Sequence, residues 1–146
     1  IPKILLDCEI IACTKIYHYS YLERSDSISK THTVKGLDIL KAVNSVEEYF
    51  INSQYNSYKT ELKYFQILEG VYTYLAYLAF VKDDGVYYQM SNDLKLFMKK
   101  RELLVSEIVK YKRFGKNYML SLPLKKKIYY LLYFLKLEKW IRKLIK

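Results

Sequence analysis

Apolar residues recur every three or four positions through most of the chain after about residue 33. This spacing follows the period of a helix and predicts amphipathic helices that each bury one face. The stripe of the first predicted helix consists of Val34, Leu37, Leu40, Val43 and Val46. A second helix is predicted from Tyr58 to about Val81, and Asp83-Asp84-Gly85 is expected to form a turn after it.

Two further helices are predicted in the C-terminal part of the chain. Ser91 or Asn92 can cap the third helix. Its inner positions are predicted to be Leu94, Phe97, Leu104 and Ile108, and its outer positions Lys99, Lys100 and Arg101. The sequence Phe114-Gly115-Lys116-Asn117 interrupts the helical pattern. Pro123 suits the first turn of a fourth helix, which is predicted to run from Leu124 to Ile145.

The N-terminal part has a different pattern. Residues 1–7 are predicted to be the end of a helix. Residues 9–14 and 15–22 are rich in β-branched or alternating residues and are predicted to be two short strands. The fold class expected from these elements is mainly α with a short N-terminal β segment (α+β).

The net charge of +10 is concentrated in the last third of the chain. Residues 1–94 hold 9 basic and 12 acidic residues, a balance of −3, whereas residues 95–146 hold 16 basic and 3 acidic residues, a balance of +13. This asymmetry indicates that the C-terminal third meets an anionic partner.

Common catalytic constellations are absent from the sequence. Two histidines and four isolated glycines provide neither a Ser-His-Asp triad nor a glycine-rich phosphate loop. Glu47 and Glu48 are expected on the solvated face of their helix. Cys8 and Cys13 lack the spacing of a metal site, and they are expected to be small buried thiols in a reducing compartment.

The end of the chain is predicted to be a basic amphipathic helix. Its continuous apolar block, Ile128–Leu135, has eight residues, far fewer than the roughly 20 that cross a bilayer. Apolar residues including Tyr130 and Tyr133 form one stripe, and lysines lie opposite, which suits the plane of an anionic membrane surface. The predicted membrane-surface residues are Lys125, Lys126, Lys127, Trp140, Arg142 and Lys143.

Two other interpretations of this helix remain open. It can dock on its own protein with its lysines solvated, an alternative of about equal weight. Nucleic acid is the less favoured partner, because the sequence contains no helix-turn-helix, RNP-type aromatic motif or zinc finger.

The segment from Tyr17 to Ser29 carries a more specific pattern. A Tyr-x-Tyr sequence, Tyr17-His18-Tyr19, is followed by Arg24 and then by Ser27-Ile28-Ser29. This order resembles the segment that closes the catalytic domain in family 2 glycosyltransferases of the GT-A fold, of the bacterial surface-polysaccharide kind. These proteins often place an arginine directly after the second tyrosine, where this chain has Ser20.

The resemblance implies roles for these residues. Arg24, Ser27 and Ser29 would bind the donor phosphates, and the wall of the substrate site would consist of Tyr17, His18 and Tyr19. For Arg24, a surface ion pair with Glu23 or Asp26 is an equal alternative. The catalytic carboxylates and the divalent metal of the full enzyme, Mg or Mn, would lie upstream of Ile1. No catalytic residue, metal ligand or cofactor is therefore expected in this part alone.

The chain is accordingly divided into three parts. Residues 1–33 are expected to end the GT-A catalytic domain, residues 34–122 to form a helical region, and residues 123–146 to form the basic helix. The whole resembles the C-terminal helical portion of a GT-A-type α/β enzyme that transfers a sugar from a nucleotide sugar to a lipid-linked or surface glycan. Such an enzyme would be cytoplasmic and peripheral, at the inner face of the cell membrane. The alternative is a non-enzymatic helical module that binds an anionic membrane surface or a partner protein.

Overall fold

The computed structural model describes residues 2–12, 15, 36, 38–137 and 140. Its helices are α1 (Pro2–Asp7), α2 (Asp38–Ile51), α3 (Lys59–Phe65), α4 (Tyr74–Leu78), α5 (Asp84–Lys100), α6 (Val105–Lys110), α7 (Tyr118–Ser121) and α8 (Leu124–Phe134). A π-helical segment, Gln66–Thr73, joins α3 to α4. Two short strands, β1 (Lys112–Arg113) and β2 (Lys116–Asn117), pair as an antiparallel hairpin. The prediction of a mainly helical fold with a small β segment is confirmed.

The N-terminal region agrees with the prediction only in part. The expected helix is present as α1. Residues 9–12 form no strand, because they pair with no other described backbone. The remainder of the two predicted strands lies outside the described residues, apart from Lys15. Cys8 is exposed, contrary to the prediction, because nothing in the described chain covers the segment after α1. Cys13 lies outside the described residues.

Helix α5 begins eight residues before the predicted Asn92 cap, at Asp84. The carboxylate of Asp83 accepts a hydrogen bond from the backbone N–H of Val86 at 2.7 Å and so caps the helix. Ser91, predicted as a cap, is instead buried inside α5. The acidic pair at 83–84 therefore starts a helix, where the sequence predicted a turn.

The core lies where α2, the π-helical segment, α5 and α8 meet. Gly70 allows α5 to approach closely, since a Cβ atom at this position would lie 2.4 Å from Cζ of Phe97. Many core side chains are tyrosines, and some of their hydroxyls bond to backbone carbonyls. The Tyr72 hydroxyl donates to the carbonyl of Ile108 at 2.7 Å, and the Tyr130 hydroxyl donates to the carbonyl of Tyr72 at 3.0 Å. These two bonds connect α6, the π-helical segment and α8.

Two long helices end in the same way, and neither end carries a glycine. After α5, the N–H groups of Glu102 and Leu103 bond to the carbonyls of Lys99 and Met98. After α8, the N–H groups of Lys136 and Leu137 bond to the carbonyls of Tyr133 and Leu132. Both are Schellman motifs, with Glu102 (φ 52°) and Lys136 (φ 60°) in the left-handed conformation.

These endings correct two predictions. The fourth helix stops at Phe134 and does not continue to Ile145. Leu104 was predicted to be an inner residue of the third helix, but it is exposed and precedes α6. Leu103, the residue that follows the turn, is buried in its place.

Two charged residues that were predicted to be solvated are paired and largely removed from water. The guanidinium of Arg101 forms an ion pair with the carboxylate of Glu47, and it also bonds to the side chain of Asn44. It lies 3.9 Å from the centre of the Phe97 ring. This contact joins α2 to the end of α5. Helical periodicity could not predict it, because Arg101 lies just beyond the last residue of α5.

Candidate membrane-binding surface

The inner face of α8 is fixed to the protein by its tyrosines. Tyr129, Tyr130 and Tyr133 are buried, and the hydroxyl of Tyr133 lies 3.2 Å from the side-chain oxygen of Ser91. Burial raises the pKa of Tyr130 far above its usual value, so this hydroxyl stays neutral. Tyr130 and Tyr133 were predicted to face a membrane, which is wrong. Helix α8 instead docks on its own protein, as in the second interpretation.

The outer face of α8 carries a different apolar stripe. Leu124, Ile128, Leu131 and Leu135 are all exposed, Leu124 at 71%. At 100° per residue, these four positions fall within an arc of about 60°. We call this set the outer stripe. No described part of the chain covers it, so α8 is apolar on both sides, with tyrosines inside and aliphatic residues outside.

Two lysines border the outer stripe, the exposed Lys125 and the half-buried Lys127, whereas the exposed Lys126 lies on the opposite side of the helix. By helical geometry, Lys125 and Lys127 lie on opposite sides of the stripe. Lys125 and Lys126 also line an apolar groove of about 330 Å³ between α4 and α8, together with Phe80. An exposed aliphatic strip thus has a lysine on each side, an arrangement that also occurs in helices that lie in a membrane interface.

The segment before and after α8 has the same character. Residues 108–137 contain no acidic residue, because Glu107 and Glu138 are the nearest acids on either side. The basic residues of this segment are Lys110, Lys112, Arg113, Lys116, Lys125, Lys126, Lys127 and Lys136. Trp140 is 64% exposed, and its contact with a membrane stays a prediction. Arg142 and Lys143 lie outside the described residues.

The predicted donor site belongs to a part of the chain between α1 and α2. Tyr17, His18, Tyr19, Arg24, Ser27 and Ser29 all lie outside the described residues. The structure does define the two helices on either side of them, α1 and α2. Lys3 donates a hydrogen bond to the side chain of Ser45 at 2.8 Å, and the hydroxyl of Tyr49 donates to Asp7.

Helices α1 and α2 run side by side in the same direction. Position 3 contacts position 45, and position 7 contacts position 49, so the contacts advance together along both helices. The chain therefore leaves α1 beside the end of α2 and enters α2 at its start, roughly 16 Å away at 1.5 Å per residue. Both ends of the segment 8–37 are thereby held on one side of the helical body.

A second cleft has a mixed charge. It has a volume of about 800 Å³ and lies between the end of α2, α3 and the turn after α5. Lys63 and Arg101 line it, but each is paired, with Glu107 and Glu47 respectively. Pairing with Lys63 lowers the pKa of Glu107, which keeps that pair ionised. Lys59 and Glu102 also line this cleft, so it carries both signs of charge.

Two further features bear on function, namely clusters of metal ligands and helices that could span a membrane. Across residues 2–12, 15, 36, 38–137 and 140, no three His, Cys, Asp or Glu side chains come together as a possible metal site. In the same residues, no helix has both the length and the apolar character to cross a bilayer.

The sequence prediction missed the outer stripe, although its signal was present. The spacing Leu124, Ile128, Leu131, Leu135 follows helical periodicity as closely as the tyrosine face does. The prediction selected the wrong one of two apolar faces. Comparisons with protein-family models, curated proteins and solved structures gave no match for this chain.

Proposed function

We propose that the chain forms the C-terminal part of a glycosyltransferase that works at an anionic membrane surface. The enzyme would transfer a sugar from a nucleotide sugar to a lipid-linked or surface-polysaccharide acceptor. Two independent features support this proposal. One is the sequence of residues 17–29, with its Tyr-x-Tyr, Arg24 and Ser-Ile-Ser pattern. The other is the surface of α8.

The outer stripe is the single observation that carries the membrane part of the proposal. Complete burial of a leucine or isoleucine side chain contributes about 1.5–3 kcal/mol. The four residues are between 47% and 71% exposed, and an interface buries them only in part, so roughly 1 kcal/mol each is reasonable. Each nearby lysine adds about 1 kcal/mol at an anionic surface. This sum suits reversible, peripheral attachment.

The arrangement of α1 and α2 is compatible with the role proposed for residues 17–29, which lie within the segment 8–37. In the proposal, this segment covers the bound donor, and both of its ends are anchored on the helical body. Arg24 would bind diphosphate oxygens through its planar fork, and the Ser27 and Ser29 hydroxyls would add hydrogen bonds. Tyr17, His18 and Tyr19 would line the site. A cover of this kind excludes water and limits hydrolysis of the donor.

The catalytic carboxylates and the divalent metal, Mg or Mn, belong to an upstream part in this proposal. We therefore assign no bond-making step to the described residues. Their task would be to position the enzyme. Attachment at the cytoplasmic face of the membrane would bring the site to a lipid-linked acceptor, and it would restrict both partners to one surface.

The alternative is a helical module without catalytic activity that binds the same membrane. It is favoured by one observation, namely that α2 to α8 share a hydrophobic core of their own. Both proposals predict vesicle binding, and only the first predicts an effect of Arg24 on sugar transfer.

Vesicle binding can be tested by cosedimentation of the chain with phosphatidylglycerol-rich and with pure phosphatidylcholine vesicles. We expect binding to the anionic vesicles only, reduced at high salt. The variant Ile128→Gln/Leu131→Gln should bind at least tenfold more weakly, since it loses more than about 1.4 kcal/mol. The control Leu96→Gln removes an equally exposed leucine from α5 and should bind normally. An equal loss of vesicle binding in both variants would contradict a specific role of the outer stripe.

The proposed sugar transfer can be tested with the complete gene product and a panel of nucleotide sugars. We expect Arg24→Ala to reduce turnover strongly without changing the circular dichroism spectrum. Lys30→Ala removes the same charge from the same segment and should have little effect. Unchanged turnover in Arg24→Ala would exclude the phosphate role. No transfer with any donor would favour the non-enzymatic module.

A further inference from the structure

The hairpin β1–β2 has an unusual residue at its tip. Phe114 and Gly115 form the turn, with φ angles of 51° and 77°. Turns of this kind need positive φ at both central positions, and Asn-Gly is the sequence they favour. A phenylalanine in the left-handed conformation is strained, because its Cβ crowds the backbone. The fold itself would be better served by another residue at position 114.

The side chain of Phe114 has no packing contact that would explain this strain, since it is almost fully exposed. It is 91% exposed, more than the other large apolar side chains in the described part of the chain. The guanidinium of the neighbouring Arg113 lies 5.4 Å from the centre of the Phe114 ring, which is a weak, exposed cation–π contact. An exposed, strained aromatic residue on a short turn suggests a role outside the fold.

The base of the hairpin is held firmly. The side-chain amide of Asn117 donates to the carbonyl of Val109 at 2.8 Å and accepts from the N–H of Leu120 at 2.9 Å. The N–H of Tyr118 donates to the carbonyl of Tyr111, a buried residue. These bonds fix the hairpin to α6 and α7, so its tip is presented in a defined direction.

Cations surround the tip. Lys110, Lys112, Arg113 and Lys116 are all exposed, and they belong to the acid-free segment 108–137. One aromatic ring at the apex with basic residues beside it complements a surface that has anionic headgroups above an apolar layer. The same chemistry continues along the chain through exposed Leu120 to the outer stripe of α8.

We infer that the β1–β2 hairpin is a second membrane contact, in which Phe114 enters the headgroup region of an anionic bilayer. The basic residues at positions 112, 113 and 116 bind lipid phosphates around it. This inference rests on the membrane surface proposed above and adds a separate insertion point. An anionic bilayer fits better than nucleic acid, because a single ring at an apex offers no platform on which successive bases can stack.

The variant Phe114→Asn distinguishes an effect on stability from an effect on membrane binding. Asn-Gly relieves the turn, so the thermal midpoint should stay equal or rise. Binding to phosphatidylglycerol-rich vesicles should fall roughly tenfold, since an aromatic side chain no longer enters the interface. Leu96→Gln is the control, and it should alter binding by less than about twofold.

A second readout reports insertion directly. Phe114→Trp in a Trp140→Phe background places the single tryptophan at the tip. Its emission should shift to the blue on addition of anionic vesicles, and brominated lipids should quench it.

Three outcomes would overturn the inference, and they are distinguishable. Normal binding by Phe114→Asn together with an unshifted tip tryptophan would refute the hairpin contact while the α8 surface stands. Failure of the unmodified chain to bind any anionic vesicle would refute both membrane proposals. Salt-sensitive retention on single-stranded RNA without vesicle binding would assign the basic surface to nucleic acid.

Discussion

The ion pair between Glu47 and Arg101 provides a direct test of how α2 is attached to α5. The side chains are 19% and 7% exposed, so both charges are largely removed from water. Besides Glu47, the guanidinium contacts the side chain of Asn44 and the ring of Phe97. Removal of one partner leaves the other as a buried charge with only neutral neighbours.

The size of the effect follows from this geometry. Loss of one member of a fully buried pair destabilises a protein by about 3–5 kcal/mol. Residual exposure of Glu47 and the remaining neighbours of Arg101 reduce this penalty, so we expect about 3 kcal/mol for either Glu47→Leu or Arg101→Met. The double variant replaces both charges with apolar groups of similar length. It should lose less than about 1 kcal/mol, because no buried charge remains.

Urea denaturation followed by circular dichroism measures these free energies. With a slope near 2 kcal/mol per molar urea, each single variant should unfold at a urea concentration about 1.5 M lower. Lys41→Gln is the control, since its pair with Asp38 is exposed and should contribute less than about 0.5 kcal/mol. Small, additive losses in both single variants would show that the pair is solvated and would refute the reasoning.

Two further predictions concern the core and a helix cap. Burial raises the pKa of Tyr72, Tyr74, Tyr129 and Tyr130 above the usual value. Below about pH 10 these tyrosines are neutral in both the folded and the unfolded protein, so the free energy of unfolding does not depend on their ionisation. Above pH 10 they ionise first in the unfolded protein, and the free energy of unfolding falls by about 1.4 kcal/mol per tyrosine and pH unit. Absorbance near 295 nm should therefore show these tyrosines ionising together with unfolding, and early independent ionisation would contradict their burial. Asp83→Ala should destabilise the protein by about 1 kcal/mol in the same urea assay, and no change would argue against a cap at Asp83.

The sequence was most informative where one apolar stripe lies on one helix. The predicted stripe through Leu40 and Val43 is the buried face of α2, and the predicted second helix corresponds to α3, the π-helical segment and α4. Leu94 and Phe97 are inside, as expected. In these segments local periodicity and tertiary packing agree, so the pattern is sufficient.

Helix boundaries were less predictable, because the signals that usually mark them are missing. Glu102 and Lys136 adopt the left-handed conformation at positions where glycine is the common residue. A lysine within a basic apolar run gives no indication that the helix stops there. The early start of α5 was missed for a related reason, since Asp83 was interpreted as part of a turn and Ser91 looked like an equally good cap.

The partner of a charged residue was not predictable at all. Glu47 and Arg101 are 54 positions apart, and each alone looks like part of a solvated face. Only the packing of α2 against the end of α5 brings them together. The donor-site prediction rests on residues 17–29 and stays a prediction.

Helix α8 illustrates why the choice between two apolar faces decides the functional hypothesis. Between residues 128 and 135 the sequence is apolar almost all round, so periodicity cannot say which face is inside. The structure buries three tyrosines of α8, two of which have hydroxyl partners in Tyr72 and Ser91, and it leaves leucines and isoleucine outside. Aliphatic side chains are normally the ones buried, because they lose no hydrogen bonds with water. A helix that exposes them beside lysines, with no covering element among the described residues, is the observation on which the proposed contact with an anionic membrane rests.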